Sequence, residues 1–220
     1  MNPAAVTALE TADWRRRVFG LYERVRSESA DDIVGAHELW RRERDELFAT
    51  HPASPLLPED RPGFRGLPVR DYDPAWRFSA TIETGDEGDR PRRFDFETGT
   101  DGIVSFDLLG VARIAGVGSL DVWRLTSYGG GLFVPVKDAL AGRPGGTYGG
   151  GRYLVDTIKG AHLNDLVERD SHAAPELVLD FNFAYNPSCA YDPMWACPLA
   201  QPGNTVPVEI PVGERYGAPR

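Results

Sequence analysis

Apolar residues recur at helical spacing in two stretches near the N-terminus. The apolar positions of the first stretch are Trp14, Val18, Leu21, Tyr22 and Val25. This spacing predicts a helix, and Asp13 is placed to accept hydrogen bonds from the free amides of its first turn. A second helix is predicted from about Asp32 to Phe48, with an apolar stripe at Ile33, Ala36, Trp40, Leu47 and Phe48. The charged segments Arg15 to Arg17 and Arg41 to Arg44 are predicted to form solvated faces.

The pattern changes after the second helix. Prolines at positions 52, 55, 58 and 62 remove backbone donors, so residues 51–67 are predicted to form an extended connector. From residue 68 onward, short apolar or alternating segments are separated by Gly, Asp and Pro, which is typical of strands and turns. The predicted strands are Arg77 to Glu83, Arg93 to Thr98, Ile103 to Leu108, Val111 to Ala115, Leu120 to Thr126, Leu132 to Val136, Arg152 to Asp156, Leu177 to Phe181 and Val206 to Ile210.

Short connections between these strands favour antiparallel pairing, because a parallel crossover needs about a dozen residues or more. We therefore expect a mainly β protein, with an antiparallel β-barrel or sandwich over residues 68–220. The two N-terminal α-helices, residues 1–50, are expected to pack on it within a single structural domain. A polar excursion from Lys159 to Ala174, with a short helix around His162 to Glu168, is expected between two strands.

The acidic composition limits the partners of the chain. A formal net charge of −9 leaves no concentrated basic surface for nucleic acid or an anionic membrane, so neither is expected as a partner. The sequence has no apolar run of about 18 to 20 residues and no pattern of a signal peptide. We expect a cytoplasmic protein whose cysteines, Cys189 and Cys197, are reduced. The oligomeric state stays open.

Aromatic, amide, carboxylate and thiol side chains are concentrated between Leu177 and Leu199, in the sequence LVLDFNFAYNPSCAYDPMWACPL. TYGGGRY precedes this cluster at 147–153, and Gly213 and Glu214 follow it. Together these segments resemble the bacterial and archaeal family of domain of unknown function 1684, whose hallmarks are a TYGGGRY-like stretch, DFN, AYNP, CAY, CPL, an Asn and a final GE. The chain departs from the usual CPLPP and Glu-Asn of that family with AQPGN at 200–204. The resemblance implies the location of a site and no reaction.

Polar and aromatic side chains alternate at the start of the cluster. Asp180 and Asn182 are predicted to share one face of a strand, with Phe181 and Phe183 on the other. A buried carboxylate needs a cation or several donors, and Arg152 is predicted to form a bidentate pair with Asp180. Such a pair would either fix the register of the strands or orient a polar ligand.

Two functions from different classes fit the cluster. The first is a small-molecule pocket, in a binding protein or in an enzyme of unknown reaction, because pockets combine apolar walls with a few polar groups. Its predicted ligand-binding residues are Arg152, Tyr153, Asp180, Asn182, Tyr185, Asn186, Cys189, Tyr191 and Trp195. The second is a structural or protein-interaction module in which the same side chains satisfy backbone groups.

No motif for metal or cofactor chemistry is found. Cys189 and Cys197 are too far apart in sequence to match the close pairs of structural zinc sites. His37 and Glu38 begin like a zinc-protease helix, but Arg41 stands where the second histidine is needed. The sequence therefore predicts no metal and no cofactor. Since no histidine lies near Cys189 in sequence, its thiol is expected to be inert rather than nucleophilic.

Overall fold

The computed structural model describes residues 2–84, 90–98, 102–164 and 176–217. Helix α1 (Pro3–Ser29) begins after Asn2, whose side chain accepts a hydrogen bond from the Ala4 amide. Helix α2 (Ile33–Thr50) begins after Asp32, whose carboxylate accepts from the Gly35 amide. The two helices pack against each other and are joined by a short turn. No helix in these ranges is long and apolar enough to cross a membrane.

Helix α1 begins earlier than the sequence indicated. Asp13 was expected to cap its first turn, but it lies inside the helix and pairs with Arg16 and Arg17. The helix extends upstream because residues 3–12 are rich in alanine and other helix formers and because Asn2 supplies the cap.

Seven strands form one curled antiparallel sheet, a half-barrel behind the two helices. The strands are β1 (Arg77–Glu83), β2 (Arg93–Thr98), β3 (Gly102–Ile114), β4 (Gly118–Leu125), β5 (Leu132–Val136), β6 (Arg152–Asp156) and β7 (Glu176–Asp180). Their order is β6-β5-β4-β3-β1-β7, and β2 also pairs with β3. The predicted class, mainly β with two N-terminal helices, is confirmed.

Two of the predicted strands are parts of a single strand in the structure. Residues from Ile103 to Ala115 were expected to form two segments, but β3 runs through both, with an irregularity between Leu108 and Gly110. A Cβ atom at Gly110 would lie 2.3 Å from the carbonyl oxygen of Glu83 on β1. Glycine is needed there for the close approach of β3 and β1, so Gly110 does not end the strand.

The predicted strand Val206 to Ile210 is wrong, although both of these residues are buried. Val206 donates its amide to the carbonyl of Lys137, while Ile210 donates to the carboxylate of Asp138. Pro207 lies between them and has no amide, so a regular ladder cannot form. The predicted helix from His162 to Glu168 lies largely outside the described residues.

Two apolar cores meet where the chain leaves β7. The first is formed largely by residues of the strands and includes Leu120, Leu179 and Phe181. The second lies under the helices and includes Trp40 and Phe183, whose ring centroids are 5.2 Å apart. The chain after β7 therefore runs between sheet and helices, and this position brings the aromatic cluster against α1 and α2.

A backbone bridge joins β6, at one edge of the sheet, to the segment that follows β7, at the other edge. Tyr153 on β6 and Tyr185 after β7 exchange both backbone hydrogen bonds, at 2.8 and 3.0 Å. Their rings contact each other at 5.6 Å in an edge-on arrangement. The bridge holds the segment that begins at Tyr185 beside β6.

Candidate functional site

Arg152 and Asp180 do not form the predicted pair. The Arg152 side chain is fully buried, and its Nη1 donates to the carbonyl oxygens of Val212 at 2.5 Å and Glu214 at 3.2 Å. Its only carboxylate contact in the described chain is with Asp138, at 3.9 Å. Arg152 Nη2 donates to a third carbonyl oxygen, that of Ile210, at 3.4 Å. Arg152 thus holds the C-terminal segment against β6 through three of its carbonyls.

The cation that pairs with Asp180 is Arg77. The two residues lie opposite each other in the register of β1 and β7, and Arg77 Nη1 is 3.0 Å from the Asp180 carboxylate. The Tyr72 hydroxyl donates to the same oxygen at 3.1 Å. The buried Asp180 carboxylate thus has a cation, as predicted, but the cation is Arg77 and not Arg152. Local spacing could not predict this partner, because it depends on the pairing of β1 with β7.

The expected alternation of faces stops at Asp180. Residues 181–183 form a 3₁₀ turn, so Phe181 enters the core of the sheet while Phe183 enters the core of the helices. The Asn182 side chain bonds both backbone groups of Asp73, accepting at 2.8 Å and donating at 2.9 Å. Asp180 and Asn182 therefore have structural partners within the protein.

A cavity of about 600 Å³ lies between α1, α2, β6 and the segment from Tyr185 to Pro198. Four of the predicted ligand-binding residues line it: Tyr153, Tyr185, Asn186 and Trp195. The other five are not part of the wall that the described residues form: Arg152, Asp180, Asn182, Cys189 and Tyr191. The sequence analysis did not select Arg44, Trp14 and Cys197, which also line the cavity.

Arg44, which lines the cavity, forms a buried ion pair with Glu214. Arg44 Nη2 is 2.9 Å from Glu214 Oε2, and the two side chains are 8% and 0% exposed. The guanidinium lies over the rings of Trp40, Phe48 and Tyr185, at 4.6 to 5.4 Å from their centroids. The prediction that Arg44 is solvated is wrong. Its position four residues after Trp40 and four before Phe48 placed it on the apolar stripe, which is the signal that could have identified it.

The Glu214 carboxylate organises the segment that borders the cavity. It accepts hydrogen bonds from the backbone amide and the side-chain Nδ2 of Asn186, each at 3.1 Å, and from the Tyr191 hydroxyl. Burial raises the pKa of Glu214, while Arg44 and Asn186 act in the opposite direction. The final GE of the sequence thus has a physical role, which is to hold Arg44, Asn186 and Tyr191 around one carboxylate.

Two of the residues that line the cavity, Arg44 and Asn186, each have one buried side-chain atom without a hydrogen-bond partner in the described chain. The atoms are Arg44 Nη1, a donor, and Asn186 Oδ1, an acceptor. The orientation of the Asn186 amide follows from its neighbours, because Nδ2 faces two acceptors, the Glu214 carboxylate and the Arg215 carbonyl. Buried polar groups are nearly always paired, so both atoms require an explanation.

Of the two thiols of the chain, Cys197 lines the cavity and Cys189 does not. Both are free and half-buried, and the Tyr148 hydroxyl lies 3.7 Å from the Cys189 sulfur. Among the described residues, no group of three or more His, Cys, Asp and Glu side chains is arranged to hold a metal ion.

Comparisons with other proteins agree with the motifs and the fold. The sequence profile of the family described as protein of unknown function DUF1684 matches residues 62–215. The fold is similar to the solution NMR structure of an uncharacterized protein from Haloarcula marismortui, with a TM-score of 0.56 and 32% sequence identity. That similarity covers 86% of this chain and 96% of the archaeal chain. A comparison with curated proteins found no match.

Proposed function

The chain belongs to the DUF1684 family, and we propose that it binds a small molecule in the cavity between its two helices and the segment from Tyr185 to Pro198. The observation that carries the proposal is that two residues lining this cavity, Arg44 and Asn186, each have an unpartnered buried polar atom, Nη1 and Oδ1. Leaving a buried donor or acceptor unsatisfied costs about 1 to 3 kcal/mol for each group. A ligand that satisfies both atoms recovers that free energy.

The other residues that line the cavity favour a ligand whose main part is apolar. Aromatic side chains from α1, α2, β6 and the segment after β7 line the cavity, namely Trp14, Tyr22, Phe48, Tyr153 and Tyr185. The volume of about 600 Å³ falls within the range of small-molecule pockets, about 300 to 1,000 Å³. Rings provide broad contact surfaces for a planar or aliphatic body.

The head group is a neutral one that both donates and accepts, such as a primary carboxamide. The positive charge of Arg44 is already met by Glu214, so an anionic head group would compete with that carboxylate. A carboxamide oxygen can accept from Arg44 Nη1 while its N–H donates to Asn186 Oδ1. One group then satisfies both atoms and leaves the ion pair intact.

Three probes with the same ring test the head group: benzamide, acetophenone and benzoate. Binding to the full chain would be measured by titration calorimetry and mapped by NMR chemical shifts. We expect benzamide to bind most tightly, because acetophenone lacks the donor and benzoate adds a charge. Equal affinity for the three probes, or shifts that map away from Asn186, would contradict the proposal.

A variant on α2 tests the wall. Arg44→Lys keeps one cation for Glu214 but removes Nη1, so benzamide should bind about 5- to 150-fold more weakly, the equivalent of one lost buried hydrogen bond. Arg41→Lys is the matched control, because Arg41 lies on the same helix and pairs with the exposed Asp71 outside the cavity. If no probe binds the unmodified protein, the aromatic segment would be better explained as a structural or interaction element.

A further inference from the structure

Two large apolar side chains are exposed at the mouth of the cavity. Met194 and Trp195 both line the cavity, yet they are 87% and 42% exposed. Arg44 and Asn186, whose side chains have the unpartnered polar atoms, line the same cavity but are buried. The cavity therefore has a buried end with polar groups and an exposed end with a thioether and an indole.

A tight turn carries these two side chains. The Asp192 carbonyl oxygen accepts a hydrogen bond from the Trp195 amide at 3.1 Å, and the Asp192 carboxylate accepts one from the Met194 amide at 2.9 Å. Both bonds lie within the turn, and in the described part of the chain residues 193–195 form no hydrogen bond with a helix or a strand. The turn can therefore move as a unit, because few bonds tie it to the rest of the fold.

The chain is anchored on both sides of this turn. Before the turn, the Tyr191 hydroxyl donates to the Glu214 carboxylate. After it, the Pro198 carbonyl oxygen accepts a hydrogen bond from the Tyr153 hydroxyl at 2.7 Å. Residues 192–197 thus form a short segment between two fixed points, which keeps Met194 and Trp195 at the mouth of the cavity.

We infer that Met194 and Trp195 bind the far end of the ligand and give the cavity a preference for carboxamides with an elongated apolar body. This inference rests on the proposed function, since it names the class of ligand for the same cavity. A carboxamide bound at Arg44 and Asn186 has its apolar body directed toward the mouth. A body long enough to reach the mouth removes the apolar surface of Met194 and Trp195 from water, which favours binding.

The volume and the side-chain chemistry both favour a long body. A cavity of about 150 Å³ holds one benzene ring, whereas this cavity has a volume of about 600 Å³. A carboxamide with a single ring would therefore leave much of the space unfilled. The unbranched thioether of Met194 adapts to irregular apolar shapes, and the indole of Trp195 offers a broad apolar face.

The first test lengthens the ligand in steps, with benzamide, 4-butylbenzamide and 4-hexylbenzamide. Titration calorimetry on the full chain would measure each affinity. A buried methylene raises affinity about fourfold, so 4-hexylbenzamide should bind at least about a hundredfold more tightly than benzamide. An affinity that does not increase with length would overturn this inference and leave the proposed function standing, whereas failure of all three to bind would remove both.

Trp195→Ala separates contact at the mouth from the general hydrophobicity of the ligand. This variant should bind 4-hexylbenzamide at least about tenfold more weakly, while its loss of affinity for benzamide should be much smaller. Tyr128→Ala is the matched control, because Tyr128 is fully exposed and does not line the cavity, and it should change neither affinity. Circular dichroism would check that both variants are folded. Equal losses for the two ligands in Trp195→Ala, or no loss for 4-hexylbenzamide, would contradict the inference.

Oxidation of Met194 reports directly whether the ligand covers the mouth. The chain has two methionines, Met1 and Met194, so Met1 serves as the internal control. Hydrogen peroxide converts a thioether to the sulfoxide, and peptide mass spectrometry would follow the rate at each residue. Saturating 4-hexylbenzamide should slow the oxidation of Met194 and leave that of Met1 unchanged, while benzamide should protect Met194 less. Oxidation of Met194 at the same rate with and without 4-hexylbenzamide would refute the inference.

Discussion

Two buried arginines, Arg44 and Arg152, hold the same C-terminal segment in different ways. Arg152 donates to backbone carbonyls of that segment, while Arg44 pairs with the side chain of Glu214. Each has one buried nitrogen without a hydrogen-bond partner in the described chain, Nε in Arg152 and Nη1 in Arg44. Arg44 lines the cavity, whereas Arg152 does not. An unpartnered buried atom therefore indicates a ligand only where its residue lines a cavity.

The two arginines also differ in how pH affects their surroundings. Burial lowers the pKa of Arg152 to about 10, which still leaves it charged at neutral pH. Burial raises the pKa of Glu214, the partner of Arg44. The network of Arg44 should therefore respond to pH above 4.5, the ordinary pKa of a glutamate, whereas that of Arg152 should not respond near neutral pH.

The largest effect is expected from Arg44→Met, which leaves Glu214 buried without its cation. Removing one partner of a buried pair costs about 3 to 5 kcal/mol, and we expect a loss of this size at pH 7 in urea unfolding. Without Arg44 the pKa of Glu214 rises further. A carboxyl with a raised pKa in the folded state stabilises the fold below its unfolded value of 4.5 and loses that contribution as pH rises. The cost should therefore be smaller at pH 5 than at pH 7.

Arg41→Met is the control for this comparison. Arg41 lies one turn earlier on α2 and pairs with Asp71, whose side chain is 99% exposed. Its loss should cost less than about 1 kcal/mol at both pH values. Equal costs for the two variants, or a cost of Arg44→Met that does not change with pH, would contradict the account of the buried pair.

Arg152→Met should cost about 3 kcal/mol, because the buried carbonyls of Val212 and Glu214 lose their donor. Arg152 is charged throughout the range from pH 5 to pH 8, so this cost should be nearly constant there. Affinity for benzamide, measured on the folded variant, should be unchanged. A large loss of affinity would place Arg152 in the site and break the distinction between the two arginines.

The sequence predicted what depends on local pattern. The boundaries of β1, β2, β5 and β6 agree with the predicted strands, since alternation and turn residues are local signals. The aromatic cluster was located for the same reason, and four of its predicted residues line the cavity. Whether they bind a ligand remains a prediction.

Local sequence patterns could not predict contacts between residues that are far apart in the chain. Arg77 meets Asp180 because β1 pairs with β7, which are about a hundred residues apart. Glu214 meets Arg44 because the C-terminal segment returns to α2. Glu214 still had a signal in the final GE motif, and Arg44 had one in the apolar stripe. Arg44 was predicted to be exposed because it is charged, although its position on the apolar stripe indicated burial.

Asp180→Asn tests the reassignment of the Asp180 cation, with an expected cost of about 2 kcal/mol. This is less than for Arg44→Met, because the Arg77 side chain is 35% exposed and water can solvate it when the carboxylate is removed. Urea unfolding of Asp180→Asn, Arg77→Met and the double variant would give the coupling free energy directly. A strong coupling between Asp180 and Arg152 instead would restore the pair predicted from sequence.

The smallest effect concerns His37, whose ring is buried beside Trp40 and lies 3.0 Å from the Asn182 carbonyl oxygen. Burial lowers the pKa of His37 below 6.5, although the bond to Asn182 opposes this shift. A group whose folded pKa is depressed stabilises the fold above its unfolded value, and that contribution is lost as pH falls. Glu214 acts in the opposite direction, since its contribution grows as pH falls toward 4.5. His37→Gln should therefore remove part of the loss of stability between pH 7 and pH 5.5 in urea unfolding, and an unchanged slope would show that His37 does not titrate differently on folding.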